Sequence, residues 1–282
     1  MGESTAGSTG DPGRSRRRAG RDLGAAAGVG VVLAVAFLAT LFFSRPLFVG
    51  IAVVLVVAGV LELAHALRPA GVRLPLIPLL GGVVAMLVGA YLGGTNVLCI
   101  TAGITVLLIG FWRLVGRREG YVSDVTAGVF VAMYVPFLAG FVMLLFRPED
   151  GPFRVLIFVA LAVSSDLGGY AIGVLLGRHR MAPHISPGKT WEGLLGSLVS
   201  CLLVGWAGVV FLLDDSWWAG LVLGGCATVT AVGGDLLMSM VKRDVGIKDM
   251  GRLLPGHGGI MDRLDSLLPT ALASWAVLSL LT

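Results

Sequence analysis

Residues 74–112 read LPLIPLLGGVVAMLVGAYLGGTNVLCITAGITVLLIGFW, a run of 39 residues between Arg73 and Arg113 that carries no formal charge. A helix needs about 20 apolar residues to cross roughly 30 Å of hydrocarbon. This run therefore holds two such windows, 74–92 and 95–112, which meet at Gly93-Gly94. The same reading finds seven more windows, at 23–43, 46–66, 124–146, 153–177, 192–213, 216–240 and 264–281. The alternation typical of barrel strands is absent, which leaves helices as the spanning structure. The expected fold is all-α, a polytopic integral membrane protein of about nine transmembrane helices.

Composition agrees. Of 282 residues, 56% are hydrophobic and only 13% charged, with a mean hydropathy of +0.91. A soluble domain carries about 25% charged residues, so this chain cannot cover a water-facing surface. Disorder, a secreted disulfide scaffold and an ordinary soluble enzyme are excluded on the same ground. Cys99, Cys201 and Cys226 lie far apart in apolar runs, without CxxC or Cys/His spacing, and read as small core residues.

The few charges are unevenly placed. With the N-terminus cytoplasmic and the C-terminus outside, 18 of the 21 Lys and Arg fall in inside segments. Only Arg45, Arg147 and Arg154 fall outside, the asymmetry that orients helical membrane proteins. Residues 1–22 are polar, glycine-rich and basic and read as a disordered cytoplasmic tail. The apolar run after it is too long for a signal peptide and reads as a retained span. The tail suits contact with lipid headgroups, and a pI near 9.2 calls for no nucleic-acid partner. Residues 23–146 then read as an N-terminal bundle of five spans, and residues 147–282 as a region of four, with cytoplasmic loops 178–191 and 241–263.

Polar chemistry collects in the second half. In the first five spans, Glu62 and His65 lie one turn apart, as a helix-packing polar pair or as functional groups. Asp166 sits near the middle of the sixth span, where an ionisable residue must face the bundle interior or a water-filled cavity. Asp235 lies in the eighth span, with Ser239 and Lys242 at i+4 and i+7 on the same helical stripe. From Lys242 to Asp265, nine formal charges of mixed sign fall within 24 residues, among them Arg243, Lys248, Asp249, Asp262 and Arg263. They enclose Pro255-Gly256-His257-Gly258-Gly259, a glycine-rich turn that lets backbone approach a ligand while Lys and Arg supply phosphate donors. Asp235, Asp262 and Asp265 are hard oxygen ligands suited to Mg²⁺, which pairs one or two carboxylates with substrate phosphates. Between the sixth and seventh spans, Gly188-Lys189-Thr190 lacks the glycine five residues earlier that a P-loop needs; Pro183 stands there. A Lys and a Thr at a helix start remain a reasonable anion site. His179 and His184 lack metal-ligand spacing and read as interfacial polar residues. Basic groups for phosphates and acids for a metal, at a membrane boundary, suit phosphoryl or nucleotidyl transfer to a lipid headgroup.

The run Ser239-Met240-Val241-Lys242-Arg243, then Lys248-Asp249, then Leu254 to Asp265 resembles the signature of the phosphatidate cytidylyltransferases (CDP-diacylglycerol synthases). Ser186 to Gly193 resembles the family's Ser-Pro-x-Lys-Thr-x-Glu-Gly element, and a glycine-rich span surrounds Asp166. The resemblance covers roughly residues 160–282. It implies transfer from CTP to phosphatidic acid in the plasma membrane, the active site facing the cytoplasm, with Mg²⁺ and room for a second cation. By the same resemblance, Asp235 and Asp262 are metal ligands, supported by Asp265 and Asp249. Lys242, Arg243, Lys248 and Lys189 hold phosphates, and His257 with the adjacent glycines shapes the nucleotide loop. Ser186, Thr190, Asp166, Gly258, Gly259 and Arg263 join the substrate-binding set, and a homodimer is implied. Two rivals fit less well. A CDP-alcohol phosphotransferase needs an Asp-Gly-x-x-Ala-Arg segment, whereas Ser266 follows Asp265 here. An ion-coupled transporter with Asp166 and Asp235 as relay sites calls for a polar load near the midplane and paired broken helices.

Overall fold

The computed structural model describes residues 35–115, 119–251 and 259–281. The N-terminal tail and the first part of the first span lie outside the described residues, as do His257 and Gly258. Residues 35–43 form the helix α1. There follow α2 (Arg45–Leu67), α3 (Leu76–Leu114), α4 (Tyr121–Phe146), α5 (Gly151–Leu176), a hairpin of β1 (Arg180–Ala182) and β2 (Ser186–Thr190), α6 (Trp191–Leu212), α7 (Trp217–Asp244) and α8 (Met261–Leu281). Among the described residues, seven helices are long and apolar enough to cross a membrane. The chain is an all-α integral membrane protein.

The uncharged run that opened the sequence reading is a single helical element by hydrogen bonding, but Gly94 breaks it with φ 75° and ψ −161°, backbone open only to glycine. The halves fold back on each other. A Cβ on Gly82 would lie 2.7 Å from the Thr105 hydroxyl, and one on Gly89 would lie 2.9 Å from Val97. Residues 82 and 105 would stand about 34 Å apart along a straight helix, so α3 is an antiparallel helical hairpin with its tip at Gly94.

α4 is the central helix, with 67% of its apolar stretch buried inside the protein. It widens to a π-turn over Met133–Phe137, around Pro136. Proline has no N–H to donate and its ring crowds the preceding turn, and the wider turn absorbs both. Small residues bring α5, α6 and α7 close. A Cβ on Gly168 would press on the Gly196 carbonyl at 2.7 Å, and one on Gly220 would lie 2.8 Å from the Trp206 Cα. In a membrane, where apolar surface gives no drive to associate, such close packing is a main source of helix adhesion.

Polar groups gather at the two ends of the bundle. At one end, Arg45 donates to the carbonyls of Arg147, Pro148 and Glu149, and Arg154 pairs with Asp150 at 2.7 Å and reaches the Leu278 carbonyl. At the other, Arg113 pairs with the buried Asp124 at 2.7 Å, and Asp124 also accepts the Arg73 backbone N–H at 2.7 Å. This second end carries the C-termini of α2, α5 and α7 and the N-termini of α6 and α8.

Two boundaries differ from the sequence reading. The segment 178–191, read as a loop, holds the β1–β2 hairpin, with Arg180 opposite Thr190 and Ala182 opposite Ser186. The loop read as 241–263 is shorter, because α7 runs to Asp244 and α8 begins at Met261. Lys242 and Arg243 thus lie in the last turn of α7 and Asp262 in the first turn of α8, each sign suited to the helix dipole there.

Candidate active site

The hairpin, α5, α6 and α7 enclose a cleft of about 280 Å³ lined by Asp166, Ser186, Lys189, Thr190 and Asp235, among others. Thr190 caps α6, its hydroxyl accepting the Gly193 N–H at 3.0 Å. That cap fixes the exit of β2 and so the direction of Lys189. Lys189 Nζ reaches across the cleft to Asp235 at 2.5 Å and donates to the Val232 carbonyl at 3.2 Å. The other Asp235 oxygen accepts the Ser239 hydroxyl at 3.3 Å, one turn along the stripe.

Glu192, in the first turn of α6, clamps the base of the hairpin. Its carboxylate accepts the backbone N–H groups of Arg178 and His179 and meets His179 Nδ1 at 2.7 Å. His179 is thus an interfacial partner of a carboxylate. Arg243 donates to the Ile185 carbonyl at the hairpin turn, 3.2 Å away, tying α7 to the same element.

A second group of charges adjoins the first where α7 meets α8. Lys242 Nζ lies 3.0 Å from Asp262 and 3.7 Å from Asp265, with only 12% of its side chain exposed. The other Asp262 oxygen accepts the backbone N–H groups of Met250 at 2.9 Å and Gly259 at 3.1 Å. Asp265 is buried and accepts the Ser266 N–H at 2.8 Å. The charges of Asp262, Asp265 and Asp235 all act on Lys242. Asp166 feels Asp235, Lys189 and Arg263. Asp235 and Lys242 stand two turns apart on α7, so the two groups are neighbours along one helix.

The structure thus brings Asp166, Ser186, Lys189, Thr190 and Asp235 to one cleft, and Lys242, Asp262 and Asp265 beside it. It does not bring Lys248 and Asp249 there; they border a separate cavity of about 540 Å³ with His65 and Met250. His257 and Gly258 fall outside the described residues.

One contributor went unread in the sequence, and another was read without its partner. The Tyr134 hydroxyl, on the π-turn of α4, donates to the carbonyls of Gly234 (3.3 Å) and Asp265 (3.1 Å). It thereby joins α7 to α8 beside the acids. Glu62 of α2, read as one of a pair with His65, is buried and accepts the Met261 N–H at 2.9 Å. An ionisable residue within an apolar span was the available signal for Glu62; a tyrosine in such a span gives none.

The donor set fits a hard divalent cation. Among the described residues no three acids, His or Cys converge as a complete cage. Mg²⁺ needs no such cage, since it keeps waters and takes one or two carboxylates plus substrate phosphates. Asp262 and Asp265 already hold one positive group, the Lys242 ammonium, and Asp235 holds another, that of Lys189.

Residues 25–281 match the sequence profile described as the cytidylyltransferase family. The phosphatidate cytidylyltransferase of Mycobacterium bovis is 42% identical over 284 residues, covering 96% of this chain and 92% of the relative. That of Mycobacterium leprae is 41% identical over 288 residues, covering 94% and 90%. The phosphatidate cytidylyltransferase of Haemophilus influenzae is 39% identical over 143 residues, about half of each chain. With nearly its whole length matched, the chain belongs to the cytidylyltransferase family.

Proposed function

We propose that the chain transfers the cytidylyl group of CTP to phosphatidic acid, releasing pyrophosphate and forming CDP-diacylglycerol. The observation that carries this reading is the cleft at the end of a membrane bundle where Lys189 meets Asp235, with the Lys242, Asp262 and Asp265 group beside it. A phosphate oxygen of the lipid attacks the α-phosphorus of CTP, and the bond from that phosphorus to the β-phosphate's bridging oxygen breaks as pyrophosphate leaves. The lipid phosphate is already an anionic nucleophile, so no side chain has to remove a proton. The protein's work is to bring repelling anions together and hold them in line.

Lys189, Lys242, Arg243 and Arg263 supply the positive charge. Lys189 pairs with Asp235 and Lys242 with Asp262, contacts that fix where both ammonium groups stand. Asp235 and Asp262 are the residues that would hold Mg²⁺, whose contribution is to neutralise phosphate charge as it shifts onto the leaving group. Ser186 and Thr190 line the same cleft and offer hydroxyl donors. The bundle is read as nine spans in the plasma membrane, N-terminus in the cytoplasm. This puts the cleft on the cytoplasmic side, where CTP is available, and is supported by the 18 of 21 basic residues in inside segments. The purified protein in detergent should release pyrophosphate from CTP when phosphatidic acid and Mg²⁺ are both supplied, and no release under those conditions would overturn the reading.

A further inference from the structure

We infer that Glu62, in the half of the chain remote from the acidic cleft, is a positioning residue for the transfer reaction, its carboxylate fixing the first turn of α8 and with it Asp262 and Asp265. This inference rests on the functional reading above. Glu62 is 6% exposed on a helix that is uncharged from Pro46 to Leu61, an expensive place for a carboxyl group. Its Oε2 accepts the N–H of Met261, a residue 199 positions away and the first of α8. That N–H is one of the four donors a helix leaves unpaired at its start, and a carboxylate there also suits the positive end of the dipole.

The glycines around it show how closely the site is built on this group. A Cβ on Gly251 would lie 2.5 Å from the Glu62 carboxyl carbon. One on Gly259 would lie 2.6 Å from Glu62 Oε2 and 3.1 Å from Asp262 Oδ2. Any side chain at either position would therefore displace the carboxylate. Gly259 thus faces Glu62 on one side and Asp262 on the other, and its N–H goes to Asp262. One turn earlier on α2, Gly59 makes room for α8, since a Cβ there would meet Leu264 at 3.2 Å. Gly59 and Glu62 together form the surface on which the first turn of α8 sits.

Glu62 Oε1 has no hydrogen-bond partner among the described residues. A buried carboxyl with one oxygen unmatched is a poor device for stability alone. Its placement is explained by what the other oxygen holds, the N-terminus of the helix that carries Asp262 and Asp265, the two acids paired with Lys242.

The test compares wild-type protein, Glu62→Ala and Glu62→Gln in two measurements, steady-state cytidylyl transfer and hydrogen–deuterium exchange of the 259–265 amides. Glutamine keeps an oxygen that can accept the Met261 N–H, while alanine removes it. Glu62→Ala is expected to speed exchange at 259–265 by at least about tenfold and to lower kcat by about 10- to 100-fold. The KM for phosphatidic acid should stay within about threefold, and Glu62→Gln should restore both exchange and kcat to within about threefold of wild type. Should Glu62→Ala not accumulate in membranes, Glu62→Asp, which shortens the reach, carries the same expectation. Wild-type exchange in Glu62→Ala, a loss of turnover without faster exchange, or a glutamine variant as damaged as alanine would each overturn the inference. If the wild-type protein transfers no cytidylyl group, the functional reading fails on that control, and the exchange measurement still decides whether Glu62 fixes α8.

Discussion

Replacing Asp262 by asparagine removes one charge while changing volume very little, and the surroundings of this side chain allow the effect to be worked out. Asp262 is met by three donors: Lys242 Nζ at 3.0 Å, Met250 N at 2.9 Å and Gly259 N at 3.1 Å. A carboxamide has only one acceptor oxygen. If that oxygen turns to the two amides, its NH₂ points at the Lys242 ammonium; if it turns to Lys242, the NH₂ points at two N–H groups. The first arrangement loses one charge-assisted contact and the second loses two, so the smaller loss is about 1.5–3 kcal/mol. The larger penalty of about 3–5 kcal/mol for orphaning a buried ion is not reached, because Lys242 retains Asp265 at 3.7 Å. The expected loss of stability is about 2 kcal/mol, visible as a lower thermal unfolding midpoint in detergent. Turnover should fall much further, by at least about 10²–10³-fold, the scale seen when one preorganised electrostatic group is removed from a transition state. The assay is pyrophosphate release per mole of folded, membrane-inserted protein, so that a shifted folding equilibrium does not enter the rate. Turnover within about threefold of wild type would refute the role given to Asp262.

Other substitutions separate the parts of the site. Lys189→Ala should raise the KM for CTP or for phosphatidic acid by about tenfold or more, because it removes an ammonium that crosses the cleft; unchanged KM and kcat would place Lys189 outside phosphate binding. Tyr134→Phe removes the hydroxyl that joins the Gly234 and Asp265 carbonyls and should cost about 1 kcal/mol of stability with a fall in kcat of only a few fold, measured by thermal unfolding and turnover in parallel. Gly94→Ala forces a Cβ onto backbone at φ 75° and ψ −161° and into contact with Arg147. It should destabilise the protein by about 1–3 kcal/mol while leaving the KM values of the remaining folded protein intact.

The spans were legible because a helix in hydrocarbon must be apolar along its whole length, and that requirement writes itself directly into residues such as 74–112. The ends of α7 and α8 were not, since a hydropathy window stops at charge whereas the helix does not. Lys242 and Asp262 favour the helix termini they occupy, and α7 and α8 extend past the windows to include them. The hairpin escaped notice because strands of three and five residues carry no usable period. At the site, the acids and lysines announced themselves by being ionisable at membrane depth or crowded into one short segment. Glu62 and Tyr134 act on backbone groups instead, at Met261 and at Gly234 and Asp265. A backbone amide or carbonyl has the same chemistry at every position, so no sequence pattern can point to it, and only the packing of α2 and α4 against α8 reveals these contacts.

The account turns on one cleft bringing a nucleotide, a lipid phosphate and Mg²⁺ together. Its most direct test is pyrophosphate release by the purified wild-type protein in detergent, with CTP, phosphatidic acid and Mg²⁺ each omitted in turn. The account predicts release in the complete mixture, matched mole for mole by CDP-diacylglycerol, and none when any one component is missing. Release without phosphatidic acid, or a complete mixture that yields no CDP-diacylglycerol, would contradict it.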